Sequence, residues 1–163
     1  MTTTRPALPD STTKEFQDEA LAAANADRAR HHAPPLVMDS DLSKYAMERA
    51  ASRSQSEMLN AGHADLRDGT GENIYWGGSS GSPLPGADAV KSWYSEISDY
   101  DFSDPKFTPD AGHFTQLVWK GSTKVGIGRV SGQGPKYYET YIVFVFEAPG
   151  NMEGAFADNV LRT

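Results

Sequence analysis

The apolar run YIVFVF, residues 141–146, constrains the fold of this chain more than any other feature of the sequence. Residues that are apolar at consecutive positions are typical of a strand buried on both faces, whereas a strand with one wet face alternates. The run lies within a longer strand-like segment, 137–148. It is the longest apolar run in the chain and is far shorter than the ~18 residues of a membrane-spanning helix. We therefore predict a long central strand and no transmembrane segment.

Helical patterns precede this strand along the chain. In three segments, apolar residues recur at the i, i+3 and i+4 positions that form one face of a helix. A capping box at Thr12–Glu15 and a capping residue at Asp39 or Ser40 mark the starts of the first two. We predict helices from this box to about Arg30, from Asp39 or Ser40 to about Leu59 with Gly62 behind it, and over 87–98.

A second strand contains Val125 and Ile127, and the segment SGQGP, 131–135, is typical of a hairpin connection to the central strand. The segment 77–86 is rich in Gly, Ser and Pro, which indicates a loop within one domain. The helices come early and the strand pair late. This order favours an α+β fold with an antiparallel sheet over repeated βαβ units.

Composition limits the classes of protein that this chain can belong to. Its 163 residues suit one domain, and we predict a flexible N-terminal lead over 1–10 and a single domain over 11–163. The absence of cysteine excludes a disulfide scaffold, a thiolate zinc site and a cysteine nucleophile. A net charge of −7 argues against nucleic acid as a partner, because an acidic chain repels phosphate.

The N-terminal residues give expectations about location. Segment 1–10 has no apolar stretch of the kind found in a secretory leader, and Thr2 stands where N-myristoylation needs glycine. If the chain is complete, we expect a cytoplasmic location or one on the cytosolic face of membranes. If a signal peptide has been removed, we expect an extracellular location.

Four ionisable residues stand in apolar or glycine-flanked settings: His63, Glu72, Glu96 and His113. Glu72 directly precedes an aromatic run, and Glu96 follows Trp93 by one helical turn. A carboxylate on the packed side of an element is costly unless it is paired, so these acids should meet donors, for which the two histidines are candidates. Two imidazoles can bind a divalent ion through nitrogen while carboxylates orient the rings or a bound water.

Each of these residues also has a simpler interpretation. His63 follows a helix end and can be a cap or a surface group, His113 can be a hydrogen-bonded core histidine, and Glu96 can be a solvated helix residue. His31 and His32 end a helix, where positive charge suits the helix dipole, and we assign them no role in a site. Spacing alone therefore does not separate a site from these interpretations.

The segment GHFTQLVWKGS, 112–122, resembles the first signature of the CAP superfamily, which groups cysteine-rich secretory proteins, antigen 5 and pathogenesis-related proteins. The segments GENI, 71–74, and WYSE, 93–96, resemble two further motifs of that family. The ending over 150–161 is most similar to the cysteine-free, Golgi-associated pathogenesis-related branch. The resemblance spans about residues 12–161.

This resemblance implies a three-layer α-β-α sandwich around a central, largely antiparallel sheet. It also implies that His63, Glu72, Glu96 and His113 form the family's cleft tetrad, in which His63 and His113 are able to hold zinc or another divalent metal. Phe144 and Phe146 stand where the family has Cys and Tyr, so packing replaces a disulfide. Thr2 and the net charge of −7 predict neither the myristoyl anchor nor the acidic-phospholipid binding of that branch.

From these features we expect a binding module of the CAP type rather than an enzyme, with a lipid, a peptide or a protein partner as its ligand. One alternative is a metal-assisted hydrolase, such as a peptidase, in which Glu72 or Glu96 acts as general base on a bound water. Another is a self-associating structural protein or a homodimer, because the run 141–146 has strong β-propensity.

Overall fold

A computed structural model of the chain describes residues 5–55, 63 and 65–163. Within these residues the helices are Lys14–Arg30 (α1), Ser40–Ser54 (α2), Gly86–Ser95 (α3), Gly112–Leu117 (α4) and Phe156–Asn159 (α5). The strands are Val37–Met38 (β1), Gly71–Ser79 (β2), Lys124–Gln133 (β3) and Tyr138–Glu147 (β4). Two short 3-10 turns, Glu96–Asp99 and Pro109–Ala111, follow α3 and precede α4. Among the described helices, none is both long and apolar enough to cross a bilayer.

The described strands form one sheet in the order β1-β3-β4-β2. The strand β4 is antiparallel to both of its neighbours, β3 and β2, while the two-residue β1 runs parallel to β3 at the edge. The apolar run 141–146 therefore lies in a central strand, as its pattern predicts. The predicted α+β fold with a largely antiparallel sheet is confirmed.

Alternate residues of β4 face two separate hydrophobic clusters, because successive side chains of a strand point to opposite faces. One cluster also contains residues of α1, α3 and α4, and the other contains residues of α2. The sheet thus lies between two helical layers, and the predicted α-β-α sandwich is confirmed. The first face carries Ile142, Phe144 and Phe146, and the second carries Tyr141, Val143 and Val145.

Two glycines of β3 let α2 approach the sheet closely. A Cβ atom on Gly126 would lie 2.0 Å from the carbonyl carbon of Leu42, and one on Gly128 would lie 2.5 Å from the backbone nitrogen of Met47. No side chain fits into these gaps. The helix that carries Arg49 therefore rests directly on the sheet.

The start of the first helix differs by one residue from the sequence-based expectation, and the start of the second agrees with it. The side chain of Thr13, rather than that of Thr12, caps α1 by accepting a hydrogen bond from the backbone N–H of Phe16 at 3.0 Å. The hydroxyl of Thr12 is engaged elsewhere, since it bonds the backbone of Arg129 on β3. Asp39 caps α2, as one of the two predicted residues. The predicted end of this helix at Leu59, and Gly62 behind it, lie outside the described residues.

Three other boundaries shift. Helix α3 ends at Ser95, before the predicted 98, and a 3-10 turn begins at Glu96. The strands β2 and β3 extend to Ser79 and Gln133, because their glycine-rich ends still pair with the backbone of β4. The predicted loop 77–86 therefore shortens to 80–85, and the hairpin connection lies at 134–137 rather than 131–135.

The described part of the predicted N-terminal lead makes contacts with the sheet and α2. The guanidinium of Arg5 lies 2.6 Å from the carboxylate of Glu139, and the backbone N–H of Leu8 donates to the Ser54 hydroxyl at 3.0 Å. Asp10 forms an isolated bridge with Val130. The division into a lead over 1–10 and one domain over 11–163 stays a prediction.

A buried arginine connects α1 with the end of α4. The guanidinium of Arg28 donates to the carbonyl oxygens of Leu117 and Trp119, both at 3.0 Å, and to that of Ser122 at 2.7 Å. Burial lowers the pKa of Arg28 to about 10, which still leaves the side chain charged at neutral pH. Because carbonyl groups at a helix end lack partners within the helix, Arg28 fixes the end of the short helix that carries His113.

Candidate functional site

The two predicted metal ligands, His63 and His113, line the same cleft, which has a volume of about 330 Å³. Its walls come from the start of β2 and the residues before it, from α4 and the turn before it, and from 149–151 after β4. Glu72 also lines the cleft, whereas Glu96 is bonded to His113 from outside the lining. The structure therefore brings the four predicted residues together as two histidine–glutamate pairs.

The first pair is held by an arginine from the helical layer beneath the sheet. The side chain of Glu72 is completely buried, and its Oε1 lies 2.9 Å from Nδ1 of His63. The guanidinium of Arg49 on α2 binds both carboxylate oxygens of Glu72, with Nε at 2.6 Å from Oε2 and Nη2 at 2.7 Å from Oε1. A buried carboxylate needs such partners, and this one has a two-point ion pair.

The charge of Glu72 follows from these contacts. Burial pushes its pKa upward, but the hydrogen bonds and positive charge of Arg49 and His63 outweigh burial, so the pKa lies below its ordinary value. An ionised carboxylate only accepts hydrogen bonds, so Nδ1 of His63 carries the proton. In the neutral ring, Nε2 then presents a lone pair.

Backbone amides hold the second pair. Oε1 of Glu96 accepts the backbone N–H groups of His113 at 2.9 Å and Phe114 at 3.1 Å, and Oε2 lies 2.8 Å from Nδ1 of His113. Both amides belong to the first turn of α4, where N–H groups have no partner within the helix. Trp93 stacks on the His113 ring, with centroids 6.3 Å apart and planes at 20°. The imidazole is therefore fixed on one edge and one face.

Three amides support the cleft walls without belonging to either pair. Asn73 donates to the backbone carbonyl of His113 at 3.0 Å, and Asn151 donates to that of Gly112 at 3.0 Å. Gln116 accepts the backbone N–H of Gly150 at 2.8 Å. These bonds tie β2 and the segment after β4 to the helix that carries His113.

Arg49 was not predicted as a partner of Glu72. The signal was present, because Arg49 falls on the apolar stripe of its helix, where a charged side chain needs a partner as much as a buried acid does. The supporting amides Gln116 and Asn151 carry no comparable signal. Their contacts join segments that are distant in the chain.

His31 differs from the cationic helix end that the sequence suggested. Its side chain is buried, with Nδ1 at 2.7 Å from the carbonyl oxygen of Leu161 and Nε2 at 2.9 Å from the hydroxyl of Tyr94. Burial lowers the pKa of His31, and the nearby positive charge of Arg30 adds to this effect. The ring is therefore a neutral core group outside the cleft. His32 is exposed.

The arrangement offers a metal ion two nitrogen ligands. Within the described ranges, no group of three or more His, Cys, Asp or Glu side chains is placed to hold an ion. The two glutamates bond the rings instead, which is the usual way that proteins orient ligating imidazoles. Both oxygens of each glutamate accept hydrogen bonds, from Arg49 and His63 at Glu72 and from His113 and the Phe114 backbone at Glu96.

The chain is similar in sequence to members of a described protein family. The model described as "CAP: Cysteine-rich secretory protein family" matches residues 21–146. The human "Golgi-associated plant pathogenesis-related protein 1" is 33% identical over 153 residues, which are 93% of this chain and 96% of that protein. "Protein PRY2" of Saccharomyces cerevisiae is 43% identical over 103 residues, and the match covers 61% of this chain and 31% of that protein.

The fold has solved counterparts as well. The structure described as "Crystal structure of NaASP2 with Zn2+" superposes with a TM-score of 0.69 and covers 96% of this chain and 90% of that one. At 23% identity, the likeness is one of fold. Together with the family match over 21–146, it leads to one conclusion. The protein belongs to the CAP family of cysteine-rich secretory proteins, although it contains no cysteine itself.

Proposed function

We propose that this CAP domain is a binding module that holds a divalent cation between His63 and His113. One observation carries the proposal: both rings line one cleft, and a glutamate binds Nδ1 of each. The Nε2 atoms make no hydrogen bond to any residue that the structure describes, so both lone pairs are free for an ion. Such an ion would supply a Lewis-acid centre with coordination positions left for a ligand.

Zinc is the ion to test first, because imidazole nitrogen suits it and because one protein with the same fold, NaASP2, has a crystal structure with Zn2+. Structural zinc sites use four protein ligands and catalytic sites use three. Two histidines therefore make a weaker site, and the remaining positions belong to water or to the ligand that the module binds.

Calorimetric titration with zinc tests the proposal. We expect heat of binding from the wild type at a stoichiometry near one and none from the variant that combines His63→Ala with His113→Ala. The control is His32→Asn, which removes an exposed histidine outside the cleft and suits the backbone, since His32 has a φ of 61° and asparagine tolerates that region. Equal heats from the wild type and the double variant would refute the site.

The ligand class and the alternatives from sequence stay predictions. A lipid, a peptide or a protein partner remains the proposed ligand. The proposed location remains the cytoplasm or the cytosolic face of membranes if the chain is complete, and outside the cell if a signal peptide has been removed. The hydrolase alternative would gain support from turnover of a substrate that the variant Glu96→Gln abolishes.

The run 141–146 is buried in the central strand, so the β-propensity of this run gives no support to self-association of the folded protein. Sedimentation at several concentrations tests the predicted homodimer.

A further inference from the structure

The cleft presents two kinds of surface to a ligand. One is the pair of free Nε2 atoms of His63 and His113. The other is an apolar wall, of which Phe107 is the most prominent member because 41% of this large side chain is exposed. The apolar wall consists of Leu66, Phe107, Pro109 and Pro149.

The remaining polar side chains of the cleft are engaged with the protein. Their hydroxyl and amide groups already donate hydrogen bonds to neighbouring acceptors, and the carboxylate of Glu72 is paired with Arg49. Each of these side chains therefore makes at least one hydrogen bond to the protein itself. These hydrogen bonds run from Thr70 to the Arg67 carbonyl, from Asn73 to the His113 carbonyl, from Gln116 to the Ser122 hydroxyl and from Asn151 to the Gly112 carbonyl.

The two kinds of surface, the Nε2 lone pairs and the apolar wall, determine which chemical groups a ligand should carry. A carboxylate cannot bond a lone pair directly, so the two Nε2 atoms attract it when they hold a cation. A peptide laid along the cleft would bring several amide groups, and leaving those unpaired is costly. The surface therefore favours a small ligand with one anionic head and an apolar body.

The position of Phe107 brings the two kinds of surface together. A Cβ atom on Gly112 would lie 3.3 Å from the Phe107 ring, so the ring passes close over the residue that directly precedes His113. An aromatic ring pairs with another ring in offset or edge-to-face geometry, with centroids roughly 4.5–7 Å apart. A compact aromatic body on Phe107 would keep its head within the same cleft as the two histidines.

We propose that the cleft binds small aromatic monocarboxylates together with a divalent cation, with the ring on the apolar wall at Phe107 and the carboxylate at the cation. The inference rests on the proposed function and adds the chemical class of the ligand. Because coupling between two ligands is reciprocal, the acid tightens zinc binding by the same factor by which zinc tightens binding of the acid.

The experiment is a zinc titration of the wild type in the presence of one of three organic probes. The acid 3-phenylpropionate has the ring and the carboxylate, acetate has the carboxylate without the ring, and 3-phenylpropanamide has the ring without the charge. We expect 3-phenylpropionate to tighten zinc binding by about tenfold or more relative to either control, within the range usual for such coupling.

A matched pair of variants tests the apolar wall. In Phe107→Ala, we expect the effect of 3-phenylpropionate to fall to that of acetate. The control is Tyr137→Ala, which removes another exposed aromatic ring, 52% exposed and outside the cleft lining, and should keep the full effect. Because each effect is a ratio measured within one variant, a change in zinc affinity itself does not disturb the comparison.

The outcomes separate this inference from the function on which it rests. If zinc binds but acetate or 3-phenylpropanamide tightens it as much as 3-phenylpropionate does, the ligand class is wrong and the cation site stands. If N-acetylphenylalanine, which adds a peptide group, has a larger effect than 3-phenylpropionate, the ligand is a peptide end instead. The absence of zinc binding in every titration overturns both proposals.

Discussion

At the scale of single residues, the cleft holds two similar pairs by different means. Glu72 is completely buried and paired with the guanidinium of Arg49, whereas Glu96 is partly exposed and bonded to two backbone amides. A buried carboxylate loses more hydration than a partly exposed one, so it depends more on its cation. The two pairs should therefore respond differently to the loss of a partner.

We predict that Arg49→Met lowers the free energy of unfolding by about 3 kcal/mol at neutral pH, because it leaves Glu72 buried without its cation. In a Glu72→Gln background the same change should cost much less. Urea unfolding of the four proteins in this double-mutant cycle measures the difference. A matched control is Arg30→Met, because the Arg30 side chain is 60% exposed and its partner Asp27 retains 17% exposure, so the change should cost less.

The way in which the free energy of unfolding depends on pH is a second test of the role of Arg49. Because the pKa of Glu72 is lowered in the folded state, its contribution is present above the ordinary value of 4.5 and is lost as the pH falls through the folded pKa. The Arg49→Met variant should lose less stability over that range than the wild type does. Identical pH profiles, or equal costs in both backgrounds, would contradict the role of Arg49.

The cleft pairs were accessible from sequence for a physical reason. Acids in apolar settings need donors, and histidines in similar settings are the candidates, so Glu72 and Glu96 are expected to meet His63 and His113. The same rule, applied to the apolar stripe of α2, points to Arg49. Gln116 is beyond this kind of reasoning, because its role depends on Gly150, which the chain brings close only in the folded state.

At the scale of elements, long periodic segments were predictable and short ones were not. Helices α1 and α2 show a helical period and the strand β4 contains a long unbroken apolar run. In contrast, α4 spans 6 residues and α5 spans 4, too few to establish a period of 3.6. The ends of β2 and β3 resemble loops in sequence because glycine usually indicates a turn. In this sheet, glycines also serve as the points where a helix touches a strand.

We predict that Gly128→Ala destabilises the protein by about 3 kcal/mol, at the upper end of the usual cost of overpacking. The added Cβ atom would lie 2.5–2.7 Å from backbone atoms of Ala46 and Met47, and backbone cannot move aside as a flexible side chain can. The control is Gly81→Ala, where a Cβ atom meets nothing within 4 Å. Urea unfolding should show a change within about 0.5 kcal/mol for this control.

The Cβ atom added in Gly128→Ala should push α2 away from the sheet. This movement should also change the cleft, because α2 carries Arg49, which positions Glu72. If Gly128→Ala unfolds at the same urea concentration as the wild type, the helix has more room than the structure shows. If it is destabilised but binds zinc as the wild type does, the packing of α2 on β3 is independent of the cleft.

At the scale of the whole molecule, His31 connects parts of the chain that are distant in sequence. It follows α1, bonds Tyr94 on α3 and bonds the carbonyl of Leu161 near the C-terminus. Because the lowered pKa favours the neutral ring, the unfolded chain binds more protons than the folded one at mildly acidic pH. Stability associated with His31 is therefore complete above its ordinary pKa of 6.5 and declines as the pH falls below it.

We predict that the wild type loses stability between about pH 6.5 and pH 5 with a slope of at most about 1.4 kcal/mol per pH unit, the limit for one proton. The lowered pKa values of Glu72 and Glu139 affect the stability only below about pH 4.5. The raised pKa of Asp27 makes the folded protein more stable as the pH falls, which opposes the effect of His31. In His31→Gln, whose amide can still donate and accept, the slope should flatten. Urea unfolding across this range measures it, with His32→Asn as the control that keeps the slope. A variant as pH-dependent as the wild type would mean that another group binds the proton.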